Sequence, residues 1–182
     1  MKLNVRDQTV DFTNRPMVMG IININDDSFS GDGTLDQKKA MMMALEKVDQ
    51  GAEIIDIGAE SARTNRGPIT IDEEVHRLTP FIDTFHSFDW NQDRKKPLLS
   101  VNTWRPEVAE KVLPLGVDIL NDIGALKQSD NAEICSRHGT ALLIMHSIGL
   151  PKEPHLGQKY ENIVDEIDLF FKEKIQFAES VG

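Results

Sequence analysis

Five times along these 182 residues a short apolar run stops at polar residues and a helical pattern follows. The runs are Met17–Ile24, Glu53–Ile57, Pro97–Val101, Val117–Leu120 and Ala141–Met145. Most of their residues are apolar without alternation, as in parallel strands covered on both faces. Between them apolar residues return at helical spacing. Ala40, Met43, Ala44 and Val48 mark one face, then Val75, Leu78, Ile82 and Phe85. Tyr160, Ile163, Val164, Ile167, Phe171, Ile175 and Ala178 mark the last. Shorter helices are expected over about 105–115 and 131–137. Asp36, the Thr70/Glu73 pair and Pro106 are helix starts, and Gly51 and Gly116 are stops. Alternating strand and helix makes an α/β fold with a parallel sheet. Residues Lys2–Pro16 read as a short hairpin plugging the floor of a barrel.

An α/β barrel presents chemistry where its strands end at their carboxyl side. The first run empties into a loop containing Asn25, Asp26, Asp27, Ser28, Phe29, Ser30, Asp32 and Gly33. Asn23 offers an oxygen at the strand end, and three aspartates add acceptors suited to a hard cation. The same composition also describes an acidic solvated loop. The second run carries Asp56, a carboxylate within an apolar strand that needs a partner. A structural salt bridge and a role at the site are both open for it. That run empties into Gly58–Gly67, with Glu60, Ser61, Arg63 and Arg66. Arginine suits phosphate or carboxylate through two parallel hydrogen bonds, although a loop arginine is often only solvated. The remaining runs end at Asn102-Thr103, at Asn121-Asp122-Ile123 and at His146. His76, His86 and His146 read as surface, packing or rim residues rather than metal ligands.

The formal net charge of −10 argues against nucleic acid or an anionic membrane as the main partner. A single cysteine, Cys135, allows no intrachain disulfide, which suits a reducing cytoplasm. Its expected place is the packed face of a helix. No signal peptide is read at Met1–Val10, and no apolar run is long enough to span a bilayer.

All five of these segments together resemble the dihydropteroate synthase family of the folate pathway. Gly20-Ile21-Ile22-Asn23 and Asp27-Ser28-Phe29-Ser30 match its first strand and loop. Gly58, Glu60, Ser61 and Arg63 match its second loop. Ser100-Val101-Asn102-Thr103 and Asn121-Asp122 match its next two strand ends, and Met145-His146 with the Gly149–Pro151 loop matches the fifth. Two positions depart. Ala62 stands where the family has threonine, and Asn102 where it has the aspartate that holds the pterin.

The resemblance implies a TIM (β/α)8 barrel that joins 6-hydroxymethyl-7,8-dihydropterin diphosphate to p-aminobenzoate and releases pyrophosphate. It implies Asn102 and Arg63 as catalytic residues. Phe29, Ala62, Arg63, Asn102, Asn121, Ile123 and Met145 would bind substrate, and Asn23 would hold magnesium. It also implies a homodimer in the complete form. Only about five βα units stand here, so residues 1–182 read as one incomplete barrel domain, expected to be inactive alone. The family's later aspartate, lysine, arginine and histidine have no counterparts in the chain. A divergent or truncated pterin-binding protein without turnover is the second reading, which Ala62 and Asn102 favour. A pterin-dependent methyltransferase shares the barrel, but the Asp27–Ser30 loop argues against it.

Overall fold

The structure is a computed structural model and describes residues 2–26, 33–62, 67–90, 94–153 and 159–182. An antiparallel hairpin of β1 (Lys2–Val5) and β2 (Gln8–Asp11) comes first. Five parallel strands follow, β3 (Met19–Asn23), β4 (Ile54–Gly58), β5 (Leu98–Asn102), β6 (Ile119–Asp122) and β7 (Ala141–Ile144). They are joined by α1 (Gln37–Asp49), α2 (Ile71–Ser87), α3 (Pro106–Val112) and α4 (Asp130–His138), and α5 (Ile163–Val181) comes last. Sheet order equals chain order, β3-β4-β5-β6-β7. This is the arrangement of a TIM-type (β/α)8 barrel, with five of its βα units present.

Two apolar clusters account for the near-continuous apolar runs. Outward residues Ile22, Ile55, Ile57, Leu99, Val101 and Leu120 pack against Ala44, Leu78, Phe81, Phe85, Val108 and Val112 of the helices. Inward residues Ile54, Leu98, Ile119 and Ala141 pack with Val5 of the hairpin, joined by Leu3, Val10 and Met19. The hairpin therefore closes the amino-terminal end of the strands. Arg6 fastens it there. Its backbone N–H donates to Gly139 O at 2.6 Å, and its guanidinium donates to Leu113 O at 2.7 Å and Val117 O at 3.1 Å. Gly139 sits at φ 61°, and a Cβ there would stand 3.4 Å from Arg6 Cα.

The expected helix starts carry their caps. Asp36 accepts from the N–H groups of Lys38 and Lys39, and Thr70 Oγ1 accepts from Glu73 N at 3.1 Å. Three details differ from the sequence reading. In α1 the fully packed methionine is Met41, while Met42 is 70% exposed. After α2, where the sequence shows no periodic pattern, Trp90 folds back on Phe85 and Phe88 packs edge-on against Trp90, and Trp90 Nε1 donates to Phe85 O at 2.9 Å. Helix α5 begins at Ile163 rather than Tyr160, and none of its residues is buried. Cys135 lies packed in α4, where burial pushes its thiol up to about 12.

The two edge strands leave inward side chains bare, with Ile21 of β3 at 53% and Leu143 of β7 at 38% exposure. Val164, Leu169 and Ile175 of α5 are open as well. Apolar sheet edges of this kind recruit other chains. Residues 1–182 expressed alone are expected to associate or to melt without a cooperative transition. Sedimentation velocity and a thermal scan at micromolar concentration check this, and a cooperative monomer would count against it.

Candidate functional site

Residues two apart on a strand share a face, so register decides what meets inside the barrel. Asn23 pairs with Gly58, Gly58 with Asn102, and Asn102 with Asn121. These four form one row at the carboxyl ends of β3 to β6. The row beneath reads Ile21, Asp56, Ser100 and Ile119, and the inward floor below that holds Met19, Ile54 and Leu98. Gly58 leaves room in the upper row, since a Cβ there would touch Asn102 Cβ at 3.4 Å.

Asp56 is 2% exposed and lies at the centre of the lower row. Its partners are neutral donors. Ser100 Oγ donates to Oδ1 at 2.5 Å, Asn121 Nδ2 donates to Oδ2 at 3.1 Å, and the Asn102 side chain adds a further hydrogen bond. Burial pushes the Asp56 carboxyl above its ordinary range, and the three hydrogen bonds pull the other way. Of the two openings left by the sequence, partnership with the strand-end amides replaces the structural salt bridge.

A second layer of charge braces the loops. Arg105 Nη2 lies 2.6 Å from Glu60 Oε2, and its Nη1 lies 3.1 Å from Glu74 Oε2. Lys152 Nζ reaches Glu60 Oε1 at 3.1 Å, tying the loop after β7 to the loop after β4. Glu60 also accepts from Ile69 N at 3.2 Å, and Arg105 donates to Ile69 O at 2.9 Å. Glu74 is fully buried, and burial raises its carboxyl above the usual range while Thr103 and Arg105 oppose this. Asp122, also buried, accepts from Gly124 N at 2.7 Å and Asn131 Nδ2 at 3.0 Å. It holds the turn after β6 and so sets where Ile123 stands.

Ala62, Ile123, Met145, His146, Lys152 and Tyr160 line a cavity of about 440 Å³. Met145 is 41% exposed there. His146 stacks edge-on against Phe170 with ring centroids 4.8 Å apart. A larger hollow of about 870 Å³ lies at the floor, lined by Arg6, Arg15, Glu53, Arg94 and Asp118 among others. Arg15 pairs with Glu53 and Arg94 with Asp49, both at 2.6 Å, so its charges serve the fold.

The structure thus gathers Asn102 and Asn121 around Asp56, with Asn23 in the same row, and Ala62, Ile123 and Met145 around one cavity. Phe29 and Arg63 lie outside the described residues, as do Asp27, Asp32 and Arg66. The sequence reading missed the Arg105–Glu60–Glu74 brace. Of its three members that reading names only Glu60, as a loop residue after the second strand.

A parallel barrel whose strand ends present amides over a buried carboxylate belongs to the small-molecule sites of α/β folds. The family model described as "Pterin binding enzyme" matches residues 19–182, and the chain belongs to that family. Dihydropteroate synthase of Escherichia coli (strain K12) is 32% identical over 183 residues, covering 100% of this chain and 62% of that protein. The Yersinia pestis dihydropteroate synthase, solved with a sulfonamide drug, superimposes with a TM-score of 0.85 at 32% identity. It covers 100% of this chain and 64% of that one. A dihydropteroate synthase from Coxiella burnetii in complex with pteroic acid gives 0.81 at 30%, over 100% and 62%. The chain therefore spans just over three-fifths of the length of these relatives.

Replacing Arg105 by alanine removes the cation shared by Glu60 and Glu74. Truncating one partner of a buried ion pair costs about 3–5 kcal/mol. The Arg105→Ala variant is expected to lose stability on that order at neutral pH, read as a lower urea midpoint. An unchanged midpoint would show that the brace contributes nothing.

Proposed function

We propose that this chain is the amino-terminal part of a dihydropteroate synthase, a single barrel domain completed by further βα units. In this reading a dihydropterin diphosphate and p-aminobenzoate are condensed and pyrophosphate is released. The observation that carries it is the row of Asn23, Asn102 and Asn121 above the buried Asp56, in a chain of the pterin-binding family. Amides offer both acceptor and donor, which suits a pterin edge. The bound pteroic acid of the Coxiella burnetii relative joins a pterin to an aminobenzoate, and it supports this substrate pair.

The residues would divide the work by position. Asn102 and Asn121 orient the pterin at the strand ends, and Met145 with Ile123 flanks its plane. Phe29 and Ala62 belong to the loops that would meet the aminobenzoate, and Arg63 would meet the diphosphate or the pyrophosphate it becomes. The methylene carbon–oxygen bond breaks, diphosphate carries off the electron pair, and the aromatic amine attacks the resulting pterin cation and then loses a proton. Holding both partners in place removes much of the entropic barrier to that attack.

Magnesium suits this reading. Among the described residues no three His, Cys, Asp or Glu side chains form a metal cage. A magnesium ion on a phosphate substrate needs only one or two protein oxygens, and Asn23 at the β3 end is such a donor. When bound, the ion would neutralise charge on the departing diphosphate. Among the described residues no helix is long and apolar enough to cross a membrane. The homodimer implied by the resemblance belongs to the complete form.

Ala62 and Asn102 favour a second reading, a pterin-binding protein without turnover. An amide oxygen accepts a neutral hydrogen bond where a carboxylate accepts a charge-assisted one, and the difference is on the order of 1 kcal/mol. Such a loss weakens binding about fivefold, which by itself leaves catalysis intact. Pyrophosphate release by the full-length product of the native gene, supplied with pterin diphosphate, p-aminobenzoate and magnesium, is the deciding assay. Turnover dependent on both substrates is the expected result. Tight pterin binding with no pyrophosphate would establish the second reading.

A further inference from the structure

Asp56 is the one ionisable side chain on the inward face of the described strands, and the reaction outlined above gives it no role. It cannot reach the barrel mouth directly, because the row of Asn102 and Asn121 lies above it. It can act through those two residues. A side-chain amide branches into a carbonyl oxygen and an NH2 group, and either can face the mouth. An ionised carboxylate only accepts hydrogen bonds. Asn121 turns Nδ2 down to Asp56 Oδ2 at 3.1 Å, and the Asn102 side chain also bonds to the same carboxylate. Ser100 Oγ, at 2.5 Å from Oδ1, holds the carboxylate itself in place. A carboxylate draws only the NH2 end of an amide, so the carbonyl oxygens are left for the mouth.

We propose that Asp56 is a positioning residue that locks the Asn102 and Asn121 amides with their oxygens facing the barrel mouth. The site then reads the N–H edge of a planar heterocycle through two neutral acceptors backed by one buried carboxylate. This rests on the pterin reading above for the ligand, and on hydrogen-bond geometry alone for the amides. The negative charge of the pocket stays on Asp56, and the amides above it face the ligand as polarised oxygens.

The test separates the two layers of the claim. In the full-length protein, the side-chain amide signals of Asn102 and Asn121 are assigned by NMR, using Asn102→Ala and Asn121→Ala. Both NH2 groups are expected to exchange slowly with solvent in the wild type, and to lose that protection in Asp56→Asn. Calorimetric titration with 6-hydroxymethylpterin is expected to weaken about tenfold in Asp56→Asn. Wild-type affinity in a folded Asp56→Asn would overturn the proposal. So would an Asn102 or Asn121 amide that exchanges at the solvent rate in the wild type, a measurement that needs no foldable Asp56 variant. If the wild type takes up no pterin, the functional reading fails, and the amide protection still decides the role of Asp56.

Discussion

A one-residue slip between neighbouring strands from β3 to β6 would turn its inward side chains out among the helices. Asp56 would then sit against an apolar layer with no donor, and Asn102 and Asn121 would lose each other. The register that prevents this is fixed from both faces at once. Ile55, Ile57, Leu99, Val101 and Leu120 are wanted by the helices, and Ile54, Leu98 and Ile119 by the hairpin. A slip would exchange these sets and strand polar groups in apolar surroundings, at a cost of roughly 1–3 kcal/mol for each unsatisfied group. The site therefore depends on apolar packing that none of its own residues supplies.

The charged brace has a different task. Arg105, Glu60, Glu74 and Lys152 join the starts of α2 and α3 to the loops after β4 and β7. Buried ion pairs seldom add net stability over apolar replacements. Their use here is directional, because each close contact fixes a loop that apolar packing would leave free to slide. The loop so fixed includes Ala62 and leads into the segment that carries Arg63.

Much of this was legible in the sequence. All five parallel strands overlap the continuous apolar runs, because burial on both faces writes an unbroken signal, although β6 starts two residues later than its run and takes in Asn121 and Asp122. The helix caps were legible for a similar reason, since Asp36 and Thr70 act on their nearest neighbours. What stayed hidden depends on partners far along the chain. Glu74 reads as a solvated acid in a first helical turn, yet it is fully buried beside Arg105, and nothing local announces that. Phe88 and Trp90 lie in a polar stretch without periodicity, so the return of Trp90 to Phe85 and of Phe88 to Trp90 left no pattern. Asp56 was visible as an anomaly within a strand, but its donors come from two other strands and could not be named in advance.

The hairpin at the floor carries a consequence for how such a chain is made. Arg6 is held by Leu113, Val117 and Gly139, partners more than a hundred residues further on. A ribosome delivers Arg6 first. At about 5–20 residues per second, that hairpin waits roughly ten seconds before its last partner exists. During that interval Val5 and its neighbours have only part of their surface to cover, Ile54 and Leu98 arriving before Ile119 and Ala141. One end of the barrel, opposite the chemistry, is thus fastened by a segment made more than a hundred residues before its partners, and the nascent chain must stay soluble in between.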